Sequence, residues 1–304
     1  MEKNNNPQNT ECLTLVSKAC TEVQGFEELY RRLERRMHTQ RRSESTKKNY
    51  ARHIAQIALH YKCVPTLLAD NQIEDYLEGL ILKGKPSASY FKHTVYGLRF
   101  LFRLEGMNDK RVQLPNIKHD KKLPIVLGRE EVKALIKHAD LLKHRLLISL
   151  LYGCGLRCGE VRAIRLRDID LSRRMLLIRK TKGNYDRYVP LGNLLVKGIQ
   201  QYIESAGATD YLFTGSDYDS RYSQRGVQWV IKTLCQKAGI RKEVSTHTLR
   251  HTYATHLLED GLDIVSIKEL LGHAHIETTM VYLHIAKTGR KAPFCPLDNL
   301  YQVK

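Results

Sequence analysis

The segment that leaves this chain least freedom is Ser245-Thr-His-Thr-Leu-Arg-His-Thr-Tyr-Ala-Thr-His-Leu-Leu-Glu-Asp-Gly261, followed by Leu270-Leu-Gly-His273 and Thr278-Thr-Met-Val-Tyr-Leu-His284. Ser245 or Thr246 can cap a helix, and Leu249, Tyr253, Ala254, Leu257 and Leu258 recur at the spacing of one buried stripe. Gly261 supplies a left-handed stop. Asp263 then caps a second helix that buries Ile264, Ile267, Leu270 and Leu271 and ends at Gly272. After a polar turn, His275-Ile-Glu-Thr-Thr279, a last amphipathic segment carries Tyr282 among Met280, Val281, Leu283 and Ile285. The helical period puts His247 and Arg250 on one face near the first helix's start, an end that already favours anions. An imidazole and a guanidinium there form a seat for a phosphate group, and the two stops bring His273 and the Tyr282 phenol beside it.

Upstream, Leu146 to Leu151 read as a strongly buried helix ended by Gly153 and Gly155, so Arg157 emerges just past the stop, in Tyr152-Gly-Cys-Gly-Leu-Arg157-Cys-Gly-Glu160. A helix marked by Val132, Leu135, Ile136 and Ala139 precedes it. Met175 to Arg179 and Arg187 to Leu191 are short, β-prone and separated by Lys182-Gly-Asn, a turn signal, which predicts a β-hairpin. Val227, Val230, Ile231, Leu234 and Ala238 define a further helix, with Trp229 either packed or facing a ligand.

As a set these residues closely resemble the tyrosine recombinases, the integrase family of phages, integrons, transposons and Xer-type chromosome-resolution enzymes. The family's second box is His-x-x-Arg, then Leu-Gly-His, then a tyrosine about thirty positions on. Here it is His247, Arg250, Leu271-Gly272-His273 and Tyr282, thirty-two positions after Arg250. Its first box resembles the segment around Arg157 and Glu160, and its lysine-bearing hairpin resembles the one around Lys182. The resemblance covers roughly the last 180 residues.

The chemistry of a phosphodiester fits those residues. The nucleophile meets negative charge and the departing alkoxide leaves poorly, so charge must be neutralised and a proton supplied. Arg157 and Arg250 can fork onto the non-bridging oxygens, and His247 and His273 can add hydrogen bonds. The resemblance implies that Tyr282 is the nucleophile, that Lys182 protonates the leaving 5′-oxygen, with Lys180 competing for that role, and that Glu160 orients His247 or Arg157. It implies a 3′-phosphotyrosine, a free 5′-hydroxyl and then rejoining to a second duplex. Because the covalent adduct keeps the bond energy, no metal, nucleotide or other cofactor is expected.

Charge agrees with that partner. Fifty Lys and Arg against thirty-two Asp and Glu leave +18, with a pI near 9.6, in 304 residues. The expected partner is double-stranded DNA carrying recombination sites, engaged by a homo-tetramer with a dimer on each site. A second recombinase or a DNA-bending protein is a further candidate partner. Seven scattered cysteines argue for reduced thiols, and Cys154 and Cys158 for small packed residues rather than a metal pair. No apolar run reaches membrane-spanning length and the start Met-Glu-Lys-Asn-Asn-Asn-Pro lacks an apolar leader, which places the protein in the bacterial cytoplasm with the nucleoid.

The expected fold is mostly α with a small β-sheet or hairpin: an N-terminal helical bundle and a catalytic domain that clamp DNA between them. Residues 1–22 read as a polar extension and 23–112 as the bundle. Its four helices carry Phe26, Leu29, Tyr30 and Leu33, then Tyr50, Ile54, Ile57, Ala58 and Tyr61, then Ile73, Tyr76, Leu77 and Leu80, then Tyr90, Tyr96, Leu98, Leu101 and Phe102. Arg41, Arg42, Lys47, Lys48 and Arg52 cluster at one helix start as candidate phosphate contacts. Residues 113–124, with two prolines and no period, read as the linker, 125–286 as the catalytic domain and 287–304 as a tail that needs a groove, on its own subunit or a neighbour.

Three rival classes stay open on residues alone. His247 and His251 at i, i+4, with His273, His275 and His284, suggest a metal hydrolase, although Thr248 stands where a metalloprotease would place glutamate. A type IB topoisomerase would share the nucleophile, and a catalytically inactive DNA-binding module would share the charge.

Overall fold

The computed structural model describes residues 7–84, 87–113, 123–179, 186–206, 210–215 and 220–286. The chain divides between Lys121 and Lys122 into two compact units.

The first unit contains α1 (Pro7–Glu22), α2 (Phe26–Thr39), α3 (Glu44–Tyr61), α4 (Asp70–Gly84) and α5 (Ala88–Leu104). On α2, Phe26, Leu29, Leu33 and Met37 are buried at spacings of three and four, the stripe that a helix must hide. Ser43 caps α3 by accepting from Thr46 N at 3.2 Å. α3 and α5 serve two apolar clusters: Ala51, Ile54 and Leu101 pack with α2, while Ile57, Phe91, Leu98 and Phe102 pack with Ile73 and Leu77 of α4. Each such Ile, Leu or Phe side chain contributes about 1.5–3 kcal/mol by leaving water.

The segment expected as a polar extension differs. Its residues 7–22 form α1, and Val16, Ala19 and Val23 join the α2–α3 cluster, so the bundle has a fifth helix. Ala19 is a small residue, which hides these positions among polar neighbours in the sequence. Residues 1–6 lie outside the described residues.

The second unit runs α6 (Arg129–Lys137), α7 (Leu142–Gly153), α8 (Cys158–Arg162), β1 (Ile169–Asp170), β2 (Met175–Ile178), β3 (Arg187–Pro190), α9 (Asn193–Ala206), α10 (Gln224–Lys237), α11 (Thr246–Glu259), α12 (Ile264–Leu271) and α13 (Glu277–Met280), then a 3₁₀ turn at Val281–His284. The strands pair antiparallel in the order β1-β2-β3, with Leu176 opposite Val189 and Ile178 opposite Arg187. Leu176, Ile178 and Val189 face the core while Tyr188 faces out, the alternation of a half-buried ribbon. The hairpin predicted from sequence is therefore present with an added two-residue strand, and its connection, residues 180–185, lies outside the described residues. The sequence reading assigns nothing to 193–206, where α9 buries Leu195, Ile199 and Tyr202 against α7.

α11 is buried nearly all round rather than along one stripe. Several of its polar residues tolerate this because they are bonded internally: Thr252 accepts from Leu127 N at 3.0 Å and donates to Thr248 O at 2.8 Å, and His256 Nδ1 meets the Tyr152 hydroxyl at 3.0 Å, whereas the Thr255 hydroxyl is buried without a hydrogen bond among the described residues. This helix is the rigid post on which the site is mounted.

Candidate active site

Arg157 owes its position to a sharp turn. α7 ends at Gly153 and Gly155 takes φ +59°, where a Cβ would stand 2.4 Å from Tyr253 Cδ1, so only glycine fits both the backbone and the space. The chain then turns Arg157 into the N-cap position of α8. Glu160, three residues on, accepts from the Arg157 backbone N–H at 2.9 Å and from Arg157 Nη1 at 2.8 Å.

The Glu160 side chain is 1% exposed, and Arg187 from β3 grips it with two bonds, Nη1 to Oε1 at 3.0 Å and Nη2 to Oε2 at 2.8 Å. Burial pushes the Glu160 pKa up, but the bonds and charge of Arg187, with the Arg157 bonds, override it and hold the carboxyl at about 2. Arg187 also donates from Nε to Leu270 O at 2.8 Å, which ties the hairpin to the end of α12. Among the described residues the contacts of Glu160 thus run to Arg157, Arg187 and, at 3.9 Å, Arg250, and not to His247, the other partner expected for it. One carboxylate among three guanidiniums leaves two positive charges uncompensated, a local field suited to a phosphate.

Arg250 comes from the first turn of α11, which Ser245 caps by accepting from Thr248 N at 3.2 Å. Its side chain is 3% exposed and donates to Gly155 O at 2.7 Å and Leu271 O at 2.6 Å. Burial, then the nearby Arg157 charge, lower its pKa to about 10, which leaves it cationic at neutral pH. Burial, then Arg250 and Arg157, also lower the His247 pKa. Asp263 caps α12 with two bonds of 2.9 Å, and Gly272 at φ +63° ends it, which delivers His273. His273 Nδ1 meets Thr279 Oγ1 at 2.9 Å, and burial with the charges of Arg250, Arg157 and Arg187 brings its pKa to about 3. Both imidazoles are thereby neutral hydrogen-bonding groups at pH 7.

Tyr282 is 1% exposed, in a cluster with Tyr253, Ala254, Leu258, Ile267 and Leu271. Met280, Val281 and Leu283, read as its apolar company, are instead partly exposed. The cause is the 3₁₀ turn, whose period of three sends Thr279, Tyr282 and Ile285 inward. The Tyr282 hydroxyl lies 3.0 Å from His251 Nδ1. Burial raises the phenol pKa while the Arg250 and Arg157 charges pull it down.

The structure therefore gathers Arg157, Glu160, His247, Arg250, His273 and Tyr282 about the start of α11. Lys182 and its rival Lys180 lie outside the described residues, as do 114–122 of the expected linker and the tail from 287. In the first unit, Arg41 and Lys48 are exposed, Arg42 stacks over Phe100 at 5.8 Å, Arg52 is half-buried, and Lys47 is engaged with Glu44 at 2.5 Å and with His38. Arg187 and His251 are site residues that sequence reasoning assigned no such place, because their partners lie 27 and 31 positions away. Among the described residues, no three His, Cys, Asp or Glu side chains are grouped as a metal site, and none of their helices is long and apolar enough to cross a membrane.

Residues 126–288 match the model described as the phage integrase family, and residues 29–105 match the phage integrase, N-terminal SAM-like domain. The sequence is 40% identical over 208 residues to tyrosine recombinase XerA of Thermococcus kodakarensis, covering 65% of this chain and 73% of that protein. A crystal structure of XerA recombinase matches with a TM-score of 0.52 at 28% identity, over 91% of this chain and 97% of that one. The fold is also similar to XerH site-specific recombinase bound to difH substrate in a pre-cleavage complex, with a TM-score of 0.67, 19% identity, and 99% and 98% coverage.

Proposed function

The chain belongs to the phage integrase family of tyrosine recombinases, and on that premise we propose that it performs site-specific DNA recombination with Tyr282 as nucleophile and Arg157, Arg250, His247 and His273 as the phosphate seat. The observation that supports the assignment is the Tyr282 hydroxyl 3.0 Å from His251, the neighbour on α11 of Arg250, which with Arg157 forms a pair of cations held from behind by Glu160 and by backbone carbonyls. Held this way, they need no rearrangement as negative charge grows on a five-coordinate phosphorus.

In this reading Tyr282 attacks the scissile phosphate, a 3′-phosphotyrosine forms, and Lys182 protonates the departing 5′-oxygen. A 5′-hydroxyl from a second duplex reverses the step and joins new partners. Glu160 and Arg187 are positioning residues that fix Arg157. Four protomers act on two paired sites, and the tail from 287 links neighbours. Residues Arg41, Arg42, Lys47, Lys48 and Arg52 contact phosphates of the duplex, with Lys47 giving up Glu44 to do so.

The test is a nicked suicide substrate, from which the cleaved end diffuses away and traps the adduct. Tyr282→Phe should abolish the covalent product and leave gel-shift affinity within a few fold. A Phe variant that still traps DNA would place the nucleophile elsewhere.

A further inference from the structure

His247 and His251 sit one helical turn apart, and only the first has a part in the reading above. We propose that His251 is a further catalytic residue: it takes the phenolic proton as the Tyr282 oxygen attacks and returns it when strands rejoin.

The geometry is direct. His251 Nδ1 is 3.0 Å from the Tyr282 oxygen, within reach for proton transfer, and the two rings lie 5.7 Å apart between centroids. A neutral imidazole with its hydrogen on Nε2 presents Nδ1 as the acceptor, and the phenol donates. The nucleophile's own proton has to leave it, and His251 is the basic group bonded to that oxygen. The charged and titratable groups around it are His247 and Arg250 on its own helix, His273 after α12, and Tyr282 itself. Burial, then His247 and Arg250, depress the His251 pKa below its ordinary value, so it is unprotonated and able to accept at neutral pH.

The step balances. The Tyr282 oxygen bonds to phosphorus as its proton passes to His251 Nδ1; the bond from phosphorus to the 5′-oxygen breaks, and that oxygen takes a proton from Lys182. On rejoining, the 5′-hydroxyl attacks and gives its proton back to Lys182, the tyrosyl oxygen leaves, and His251 returns the proton to it. The two proton transfers thus belong to different residues at opposite ends of the displacement.

This inference rests on Tyr282 being the nucleophile, so Tyr282→Phe is run beside it. The decisive comparison is single-turnover cleavage of the suicide substrate by the full-length protein and by His251→Asn, whose amide reaches the Nδ1 position without its basicity. Cleavage should slow by about 10²–10³-fold. DNA affinity and melting temperature should stay near wild type, since His251 is only partly buried. The wild-type rate should level off above the depressed His251 pKa, whereas the Asn rate should climb through pH 7–9 as hydroxide replaces the base. A substrate with sulfur at the 5′-bridging position, whose leaving group needs no proton, should rescue Lys182→Ala and leave His251→Asn slow. His251→Gln serves as the second variant if Asn melts early. An Asn or Gln rate within about threefold of wild type, rescue by sulfur, or a His251→Ala that cleaves faster would overturn the proposal while Tyr282→Phe still traps nothing; trapping by Tyr282→Phe would instead sink the underlying reading.

Discussion

Glu160 is nearly sealed from water with Arg187 on one side and Arg157 on the other, and its value to the fold follows from that pairing. Glu160→Gln should cost about 3–5 kcal/mol in denaturant unfolding, because it leaves the Arg187 guanidinium buried against no charge. The folded pKa of about 2 lies below the ordinary glutamate value near 4.3, so this contribution is present above that value and lost as pH falls towards 2. The midpoint of urea unfolding should therefore drop between about pH 4.5 and pH 2 in the wild type and drop less in the Gln variant. Arg157 and Arg250 should separate by burial. Both Ala variants should slow cleavage by at least about a hundredfold. Arg250→Ala should also lose about 1–3 kcal/mol for each carbonyl it strands, while the more exposed Arg157 should show little change in melting. Five members of this constellation could be read from spacing, since His247 and Arg250 share a helical turn and glycine stops deliver Arg157, His273 and Tyr282. Arg187 could not be read so, because it meets its partner Glu160, 27 positions away, only once the hairpin has folded.

At the scale of elements, the glycine stops Gly155, Gly261 and Gly272 are unequal although all three have positive φ. Gly155→Ala puts a methyl 2.4 Å from the Tyr253 ring and disturbs the carbonyl that holds Arg250, so it should destabilise by more than about 2 kcal/mol and slow cleavage too. At Gly261, φ is +93° and a Cβ would meet open space, so Ala there should cost only about 1 kcal/mol and spare the chemistry. Thermal melting and suicide-substrate rates of the two variants should differ in that order. The caps at Ser245 and Asp263 were legible because a side-chain oxygen at a helix start acts locally. The burial of α11 on all sides was not, because threonines that bond within the protein look like threonines facing water. α1 escaped because one of its buried positions is the small Ala19, and β1 is too short to carry an alternation.

For the whole molecule, prolines 115 and 124 and the loss of period between them marked a division, and the chain parts between Lys121 and Lys122. A fragment from Lys122 should retain cleavage on a suicide substrate but bind duplex DNA more weakly. The slope of log affinity against log salt should shrink by about 0.9 for each phosphate contact the missing bundle made. Equal affinity and slope would mean that the bundle does not touch DNA. The placement of the units on a duplex was not legible, since it depends on DNA rather than on either core. The most direct test of the account is the chemical identity of the linkage. The suicide-substrate adduct would be digested with nuclease and protease, and the DNA-bearing peptide sequenced by mass spectrometry. The account predicts a nucleotide joined through its 3′-phosphate to Tyr282; a nucleotide on any other residue, or cleavage leaving a free 3′-phosphate and no peptide, would contradict it.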